Sequence, residues 1–254
     1  MNFLSILKLR NQSLFYFGLF CLLFSVVCLI LMLSLKIKVL GINAYIKPFK
    51  FFISSAIFTW TMAWIMESLE EPDQVNIYSW MVILILSFET LYIFIKACQG
   101  QMSHFNISSA FNTIMYSVMG IAIGALTTWT GYIGFLFFIK SFSNLPEYYV
   151  WSIRFGIAFF VIFSFEGGIM AGRLQHSVGG KDGGAGLPLL NWSTRLGDLR
   201  VAHFIGMHAL QLIPLIGFYF LKNTKLVILL ALVYFVATSL LLFQAFFGRP
   251  FIKL

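Results

Sequence analysis

Ionisable and amide side chains are concentrated in the segment GDLRVAHFIGMHALQ, residues 197–211. It holds two of the chain's four histidines, His203 and His208, together with Asp198, Arg200 and Gln211. Imidazole can bind a metal or move a proton near neutral pH, and carboxylate and guanidinium groups can bind a polar ligand. Because an apolar run follows directly, we predict that this segment forms the wall and lip of a polar cavity that opens to one face of a membrane.

Two carboxylates inside apolar runs are predicted to lie at the same depth. Glu89 precedes Lys96 by seven residues, which places it about 10 Å inside one membrane face. Glu166 precedes Arg173 by the same spacing. An ionisable group inside a spanning helix is costly and usually functional, so Glu89, Glu166 and His208 are the predicted catalytic residues. The alternative is that each carboxylate pairs with the basic residue seven positions later, as a helix-end ion pair without further role.

The histidine spacing leaves several kinds of site open. His203 and His208 are about 140° apart around a helix, so one helix cannot present both to one metal. A metal site would combine His208 with the two carboxylates and a loop histidine, and such ligands suit zinc or iron. A haem bound by His208 and a second histidine is the weaker alternative. Histidines that only hydrogen-bond or relay protons need no cofactor. The predicted metal ligands are drawn from His104, His176, His203 and His208.

Further polar residues are predicted to surround the mouth of the cavity and to bind a ligand. They are Lys47, Lys50, Asn106, Arg173, Arg195, Asp198, Arg200 and Gln211. Glycine-rich turns can present backbone N–H groups to an anion, so a phosphate or lipid headgroup is a suitable ligand near GGKDGGAG. The chain has no Walker or dinucleotide-binding pattern, and a plain surface loop is the alternative.

The composition places these residues in a membrane. The chain of 254 residues is 60% hydrophobic and 10% charged, with a mean hydropathy of +0.90, whereas soluble domains carry about a quarter charged residues. The net charge of +8 comes from basic residues that flank apolar runs, which favours membrane orientation over nucleic-acid binding. The three cysteines form no CxxC pair, so neither a disulfide framework nor a thiolate metal site is expected.

We predict an all-α, polytopic membrane helix bundle with about seven transmembrane helices, since a span needs about 20 apolar residues. The spans fall near residues 14–35, 50–68, 76–96, 112–138, 149–172, 203–221 and 226–247. The first run is too long for a signal-peptide core and is interpreted as a span. The chain is predicted to be a single integral membrane domain, residues 1–254, with a Gly-rich loop at 173–200 between spans five and six.

Small residues and one proline predict details of helix packing. Close approach of helices is expected at three patterns, Gly120-xxx-Gly124, Gly168-xxx-Gly172 and Ala202-xxx-Gly206. Pro214 lies inside span six and removes the hydrogen bond to the carbonyl of Leu210, so a kink is expected there.

The distribution of basic residues predicts the orientation. Seven spans put the two termini on opposite sides, with Lys8, Arg10 and three other basic residues on the N-terminal side and eleven on the other. The positive-inside rule therefore favours an outside N-terminus and a cytoplasmic C-terminus, although Lys8 and Arg10 precede the first span and favour the reverse.

Three segments, SHFNISSAFN, HSVGGKDGGAGLPLLNWS and GDLRVAHFIGMHALQLIP, resemble an uncharacterised family of bacterial multi-pass membrane proteins. The resemblance covers the third to the sixth span. It implies a location in the bacterial cytoplasmic membrane, and it brings no activity, cofactor or catalytic residue. The HxxxH pairing of ceramidase-type hydrolases is absent, as is the last-span lysine of retinal proteins.

The sequence favours a membrane-embedded, metal-dependent enzyme that acts on a lipid or lipophilic substrate. Glu89 or Glu166 would serve as base or ligand, and His208 as ligand or proton shuttle. The alternatives are a proton-coupled transporter, a ligand-sensing membrane subunit and, less favoured, a haem-binding redox protein. The expected partners are the lipid bilayer and a lipid or small lipophilic ligand, without nucleic acid.

Overall fold

The structure is a computed structural model and describes residues 2–184 and 186–253. The regular secondary structure of these residues is helical, apart from two hairpins of two short strands each. The chain divides into two compact units, Met1–Leu126 and Thr127–Leu254, and the boundary between them falls inside the fifth helix.

The first unit contains the first three spans and the start of the fourth. Its elements are α1 (Phe3–Arg10), α2 (Gln12–Ser34), β1 (Lys38–Val39), β2 (Ile42–Asn43), α3 (Ile46–Met66), a 3₁₀ turn (Glu67–Leu69), α4 (Pro72–Cys98) and the first part of α5 (Ala110–Ile139). Helix starts carry the expected signals: Asn11 Oδ1 accepts the N–H of Leu14 at 2.9 Å, and Pro72 is the first residue of α4.

The second unit contains the rest of α5 and the last three spans. Its further elements are α6 (Glu147–Arg173), β3 (Ser177–Val178), β4 (Gly197–Asp198), α7 (Arg200–Met207), α8 (Ala209–Ile216), a π-helical turn (Gly217–Leu221) and α9 (Thr224–Phe246). The connection between α6 and α7 has the length expected for the Gly-rich loop.

Hydropathy alone places the spans correctly. Among the described residues, six helices are long and apolar enough to cross a membrane, and the bent pair α7 and α8, extended by the π-helical turn, makes a seventh. The prediction of a helical membrane bundle with about seven spans is confirmed. The helices begin two to four residues earlier than the apolar runs, because polar residues are favourable in the first helical turn, where N–H groups have no helical partner.

Span six is broken, and the break is not at the proline. The two parts are bent by 41°, and His208 lies between the end of α7 and the start of α8. The expected kink is therefore present but lies six residues before Pro214. Gly156 of α6 lies against the first turn of α8, since a Cβ at Gly156 would be 3.2 Å from the carbonyl oxygen of Ala209.

Close helix packing occurs at only some of the predicted glycines. A Cβ at Gly206 would lie 2.0 Å from Cγ of Phe163, so the expectation for this glycine is confirmed at the α6–α7 contact. At Gly168 and Gly172, by contrast, no described atom lies within 4 Å of the Cβ position. The small-residue spacing is present on α6, but the helix turns those two glycines away from its neighbours.

Two hairpins interrupt the helical pattern. In the first, Leu40 and Gly41 form a two-residue turn with φ of 52° and 81°, and positive φ at both positions is typical of a type I′ turn. In the second, β3 pairs antiparallel with β4 and so closes the Gly-rich loop at its base. Neither hairpin is predicted by the hydrophobic pattern, because each strand has only two residues.

Candidate functional site

Glu166 on α6 and His203 on α7 form a buried carboxylate–imidazole pair inside the spans of the second unit. Oε2 of Glu166 lies 3.4 Å from Nδ1 of His203, and 4% of the Glu166 side chain is exposed. The same nitrogen lies 2.7 Å from the carbonyl oxygen of Phe163, so it must carry a proton and donate it there. Within the described residues, neither carboxylate oxygen of Glu166 has a hydrogen-bond partner.

Small residues bring this pair together. A Cβ at Gly167 would lie 2.9 Å from Cε1 of His203, so the imidazole rests on bare helix backbone next to Glu166. One turn further along α7, Gly206 makes the close contact with α6. Any larger residue at either glycine would separate the two helices and lengthen the distance from carboxylate to imidazole.

The first unit contains a second carboxylate–imidazole pair, formed by Glu89 on α4 and His104 in the connection to α5. Nε2 of His104 lies 3.6 Å from Oε1 of Glu89, which is a close contact but longer than a hydrogen bond. The other ring nitrogen, Nδ1, lies 3.2 Å from Oγ of Ser103. The rings of Phe51 and Tyr116 lie 5.5 and 6.2 Å from the imidazole, so the pair has an aromatic surround.

His104 lies outside the spanning helices, and its surroundings favour the neutral form. Burial lowers the pKa of His104 well below its ordinary value, and the positive charge of Lys47 lowers this pKa further. At pH 7 the imidazole therefore carries one proton on one nitrogen and can either donate or accept. The contact with Glu89 is accordingly a contact between a carboxyl group and a neutral ring.

The helix-end ion pairs considered from the sequence are not formed within the described residues. Lys96 donates a hydrogen bond to Oε1 of Gln101 at 2.8 Å, and Glu89 faces His104 instead. Arg173 is exposed at the end of α6, while Glu166 faces His203. Of the two carboxylates inside the spans, Glu89 is thus next to His104 and Glu166 next to His203, and in the described residues neither forms the ion pair with Lys96 or Arg173.

Two aspartates fold the Gly-rich loop. Asp182 accepts the backbone N–H groups of His176 and Ser177 at 3.1 and 2.9 Å. Asp198, whose side chain has no exposed surface, is bound by Arg200 through Nε at 2.9 Å and Nη2 at 2.6 Å. These contacts engage Asp198 and Arg200 with each other, which favours a structural role for two residues predicted to bind ligand.

His176 lies between these two aspartates. Its Nε2 is 3.3 Å from Oδ2 of Asp182, and its Nδ1 is 3.7 Å from Oδ1 of Asp198. Burial, the largest single effect, would raise the pKa of Asp198. The hydrogen bond and charge of Arg200, the charge of His176 and the N–H of Ser193 together outweigh burial and lower this pKa below its ordinary value. The loop is therefore held by an ionised carboxylate at neutral pH.

His208 lies apart from the carboxylate of its own unit. Its Nδ1 lies 3.1 Å from Oε1 of Gln211, and its ring packs edge-on against Phe204 with centroids 4.3 Å apart. Glu166 is accompanied by His203 instead. The sequence favoured His208 because a continuous helix carries it to the depth of Glu166, but the helix breaks at this residue.

The remaining predicted ligand residues have separate surroundings. Asn106 holds its own loop, donating to the carbonyl of Met102 at 2.8 Å and accepting from Ser108. Lys47 and Lys50 are half-buried near the start of α3, and Arg195 is exposed in the Gly-rich loop. Within the described part of the chain, no three histidine, cysteine, aspartate or glutamate side chains form a group that could bind a metal ion. The predicted zinc or iron site thus lacks a complete ligand set in these residues.

Sequence reasoning did not single out Ser103, Asp182 and Tyr92, and it considered Lys96 only as a helix-end partner of Glu89. Ser103 contacts His104, Asp182 holds the loop, and Lys96 is buried with Tyr92 one turn before it on α4. The spacing of Tyr92 and Lys96 with Glu89 along one helix face was available in the sequence.

Comparisons of the chain with models of protein families, with curated proteins and with solved structures found no match.

Proposed function

We propose that this multi-pass membrane protein is a proton-coupled carrier and that Glu166 and His203 exchange the coupled proton. The observation that supports the proposal is the pair itself: a buried carboxyl group without a hydrogen-bond partner in the described residues, 3.4 Å from an imidazole nitrogen. An ionised carboxylate is costly to bury without hydrogen bonds, so the proton at this pair has a strong effect on its energy.

The chemistry of the pair suits proton exchange. With Nδ1–H of His203 donated to Phe163, the exchanged proton resides either on the Glu166 carboxyl group or on Nε2 of His203, and both arrangements leave the pair electrically neutral. Loss of this proton, or gain of a second one, makes the pair charged, and such a change inside a spanning helix is costly enough to drive a conformational step. Intramembrane carboxylate and histidine residues are the usual components of proton relays in transporters.

Glu89 and His104 are proposed as a second exchange pair. Their geometry resembles that of Glu166 and His203, with 3.6 Å between nitrogen and oxygen, and they belong to the other compact unit. The neutral imidazole of His104 can take up a proton from one side and release one on the other. Two such pairs, one per unit, fit a carrier better than a single catalytic base does.

The metal-dependent enzyme favoured by the sequence is less well supported. A catalytic zinc site needs three protein ligands, and each pair in the described residues supplies two. The haem alternative is supported by no specific observation, because the imidazole contacts described are with Glu89, Asp182, Glu166 and Gln211. A ligand-sensing subunit would use the same carboxylates without net proton movement.

Infrared difference spectroscopy of the protein in lipid nanodiscs tests the exchange without knowledge of the substrate. The C=O stretch of protonated carboxyl groups should appear in a pH titration of the wild type, and in Glu166→Gln its intensity should fall to the part contributed by Glu89. His203→Gln should shift the pH at which this band disappears. The exposed Glu70→Gln variant should leave the band unchanged. A band of undiminished intensity in Glu166→Gln, or a band whose pH dependence is unchanged in His203→Gln, refutes the assignment.

We also propose that the protein lies in the bacterial cytoplasmic membrane with its N-terminus outside. Cys98 at the end of α4 is exposed, whereas Cys21 and Cys28 are buried. With this orientation Cys98 faces the cytoplasm. A membrane-impermeant thiol reagent should therefore label Cys98 in permeabilised cells only, and labelling in intact cells would reverse the orientation.

A further inference from the structure

A lysine ammonium is buried near the end of α4 without an acidic partner. Lys96 is only 6% exposed, and its Nζ donates one hydrogen bond, to Oε1 of Gln101 at 2.8 Å. In the described residues no carboxylate lies within ion-pair distance of it. Lysine is almost never fully buried unless it is paired, so this position needs a source of negative charge.

The surroundings of the ammonium are aromatic. Nζ lies 5.7 Å from the ring centroid of Tyr92 and 5.9 Å from that of Phe111. Tyr92 is one turn before Lys96 and therefore shares its helix face. The Tyr92 hydroxyl is buried, and no hydrogen-bond partner for it exists in the described residues. This orphaned hydroxyl is an independent observation, because a buried O–H group normally has a partner.

Neighbouring charges do not account for this arrangement. Lys96 is in the last turn of α4, where the partial negative charge of the helix end favours a cation, but that effect leaves the Tyr92 hydroxyl unsatisfied. Glu89 lies two turns earlier on the same helix and contacts His104. Lys47, whose positive charge lowers the pKa of His104, adds further positive charge to this region.

We infer that Lys96, Tyr92 and Gln101 form a binding site for a carboxylate or phosphate group. The ammonium, the phenol O–H and the side-chain amide N–H are all hydrogen-bond donors, which is the set an oxyanion requires. Gln101 is exposed and provides the side of the site that faces the surface. The two aromatic rings exclude water from the ammonium, and a hydrogen bond to an anion is stronger in such surroundings.

The same chemistry could come from a phospholipid headgroup or from a soluble anion, and two arms of one experiment separate them. The protein is placed in phosphatidylcholine nanodiscs and titrated with inorganic phosphate, with chloride at equal ionic strength as the reference. In the second arm, nanodiscs contain an increasing fraction of phosphatidylglycerol. The readout is the midpoint of thermal unfolding, from which an apparent affinity follows.

The site predicts a rise of the midpoint in at least one arm. A response to phosphate identifies a soluble anion, and a response to phosphatidylglycerol alone identifies a lipid headgroup. Lys96→Met should weaken the apparent affinity at least about a hundredfold, and Tyr92→Phe about tenfold, as expected for loss of a charged and of a neutral donor. Lys38→Met removes an exposed lysine and should leave the affinity unchanged.

Three results would overturn the inference. The first is the absence of a midpoint shift in both arms, and the second is an unchanged response in Lys96→Met. If Lys96→Met does not fold, Tyr92→Phe decides, because loss of a hydroxyl that has no partner among the described residues should not impair folding. An unchanged affinity in a folded Tyr92→Phe variant is the third.

Discussion

Replacing Asp198 with asparagine should open the Gly-rich loop. The carboxylate accepts two hydrogen bonds from the Arg200 side chain, at 2.9 and 2.6 Å, and two from the backbone N–H groups of Ser193 and Arg200, at 2.8 and 3.1 Å. Asn offers one acceptor oxygen in place of two and leaves the guanidinium without its anion. Breaking a buried ion pair in this way costs about 3–5 kcal/mol.

The expected loss of stability can be measured as faster amide hydrogen exchange in the loop. Local opening that is easier by 3–5 kcal/mol speeds exchange by roughly a hundredfold to five-thousandfold, since about 1.4 kcal/mol corresponds to a factor of ten. Mass spectrometry of peptides that cover residues 186–200 measures it on the protein in nanodiscs. Asp73→Asn, at an exposed position, should exchange like the wild type. The double variant Asp198→Asn, Arg200→Gln should recover part of the protection, because no lone buried charge remains.

The pH dependence of the wild type gives an independent check. The pKa of Asp198 is lower in the folded protein than in the unfolded chain, so its stabilising contribution is full above the unfolded value of about 3.9. It is lost as the pH falls through the lower folded value. Protection of the loop should therefore persist at pH 5 and fail only below about pH 4.

Exchange in Asp198→Asn within threefold of the wild type would refute the assigned role of the carboxylate.

Four further substitutions test other parts of the structure. Gly206→Ala should lower the free energy of unfolding by about 1–3 kcal/mol, since the added methyl group would overlap the Phe163 ring. Gly168→Ala should instead stabilise the protein by up to about 1 kcal/mol. Thermal unfolding measures both effects. The pKa of His104 is lower in the folded protein than in the unfolded chain, so protonation below about pH 6.5 favours the unfolded chain and lowers the stability. In His104→Gln the free energy of unfolding should therefore fall less steeply below this pH. Leu40→Asn should stabilise the first hairpin by about 0.5–1 kcal/mol, since asparagine tolerates positive φ and the leucine is 52% exposed.

Each of these predictions has a clear contrary result. Equal stability of Gly206→Ala and Gly168→Ala would show that the contact at Gly206 relaxes without cost. A His104→Gln variant that loses stability with acid as the wild type does would assign the dependence to another group. A destabilised Leu40→Asn variant would mean that the leucine side chain contributes a contact that outweighs the strain of its backbone.

The sequence specifies the spans well because a bilayer imposes one simple requirement, a run of apolar residues of sufficient length. It also indicates that Glu89 and Glu166 are the important intramembrane charges, since a carboxylate is conspicuous in such a run. It does not identify the partner of Glu166, because the register of α7 against α6 places His203 beside Gly167 and Gly206 beside Phe163. Helical periodicity within one helix does not give the register between two helices.

Two other features also cannot be predicted from periodicity: the role of Asp198 in the Gly-rich loop, and the positions of the glycines on α6 that make close contacts. The role of Asp198 depends on Arg200 and on a strand pairing of only two residues on each side, and no periodic pattern reports such a short ladder. The GxxxG spacing on α6 predicts a close contact but does not say which face of the helix makes it. The contact falls at Gly156 and Gly167, outside the motif.

The close approach at Gly156 has a consequence for span six. A helix that breaks inside a bilayer exposes backbone carbonyl and N–H groups, and lipid offers them no hydrogen bonds. The bare backbone of α6 at Gly156 covers the first turn after the break, near Ala209 and Leu210. A side chain at this position would lift α8 away and admit hydrocarbon to those polar groups. The break between α7 and α8 therefore requires a small residue at position 156 of α6, because Gly156 lets α6 cover the break and keep lipid away from it.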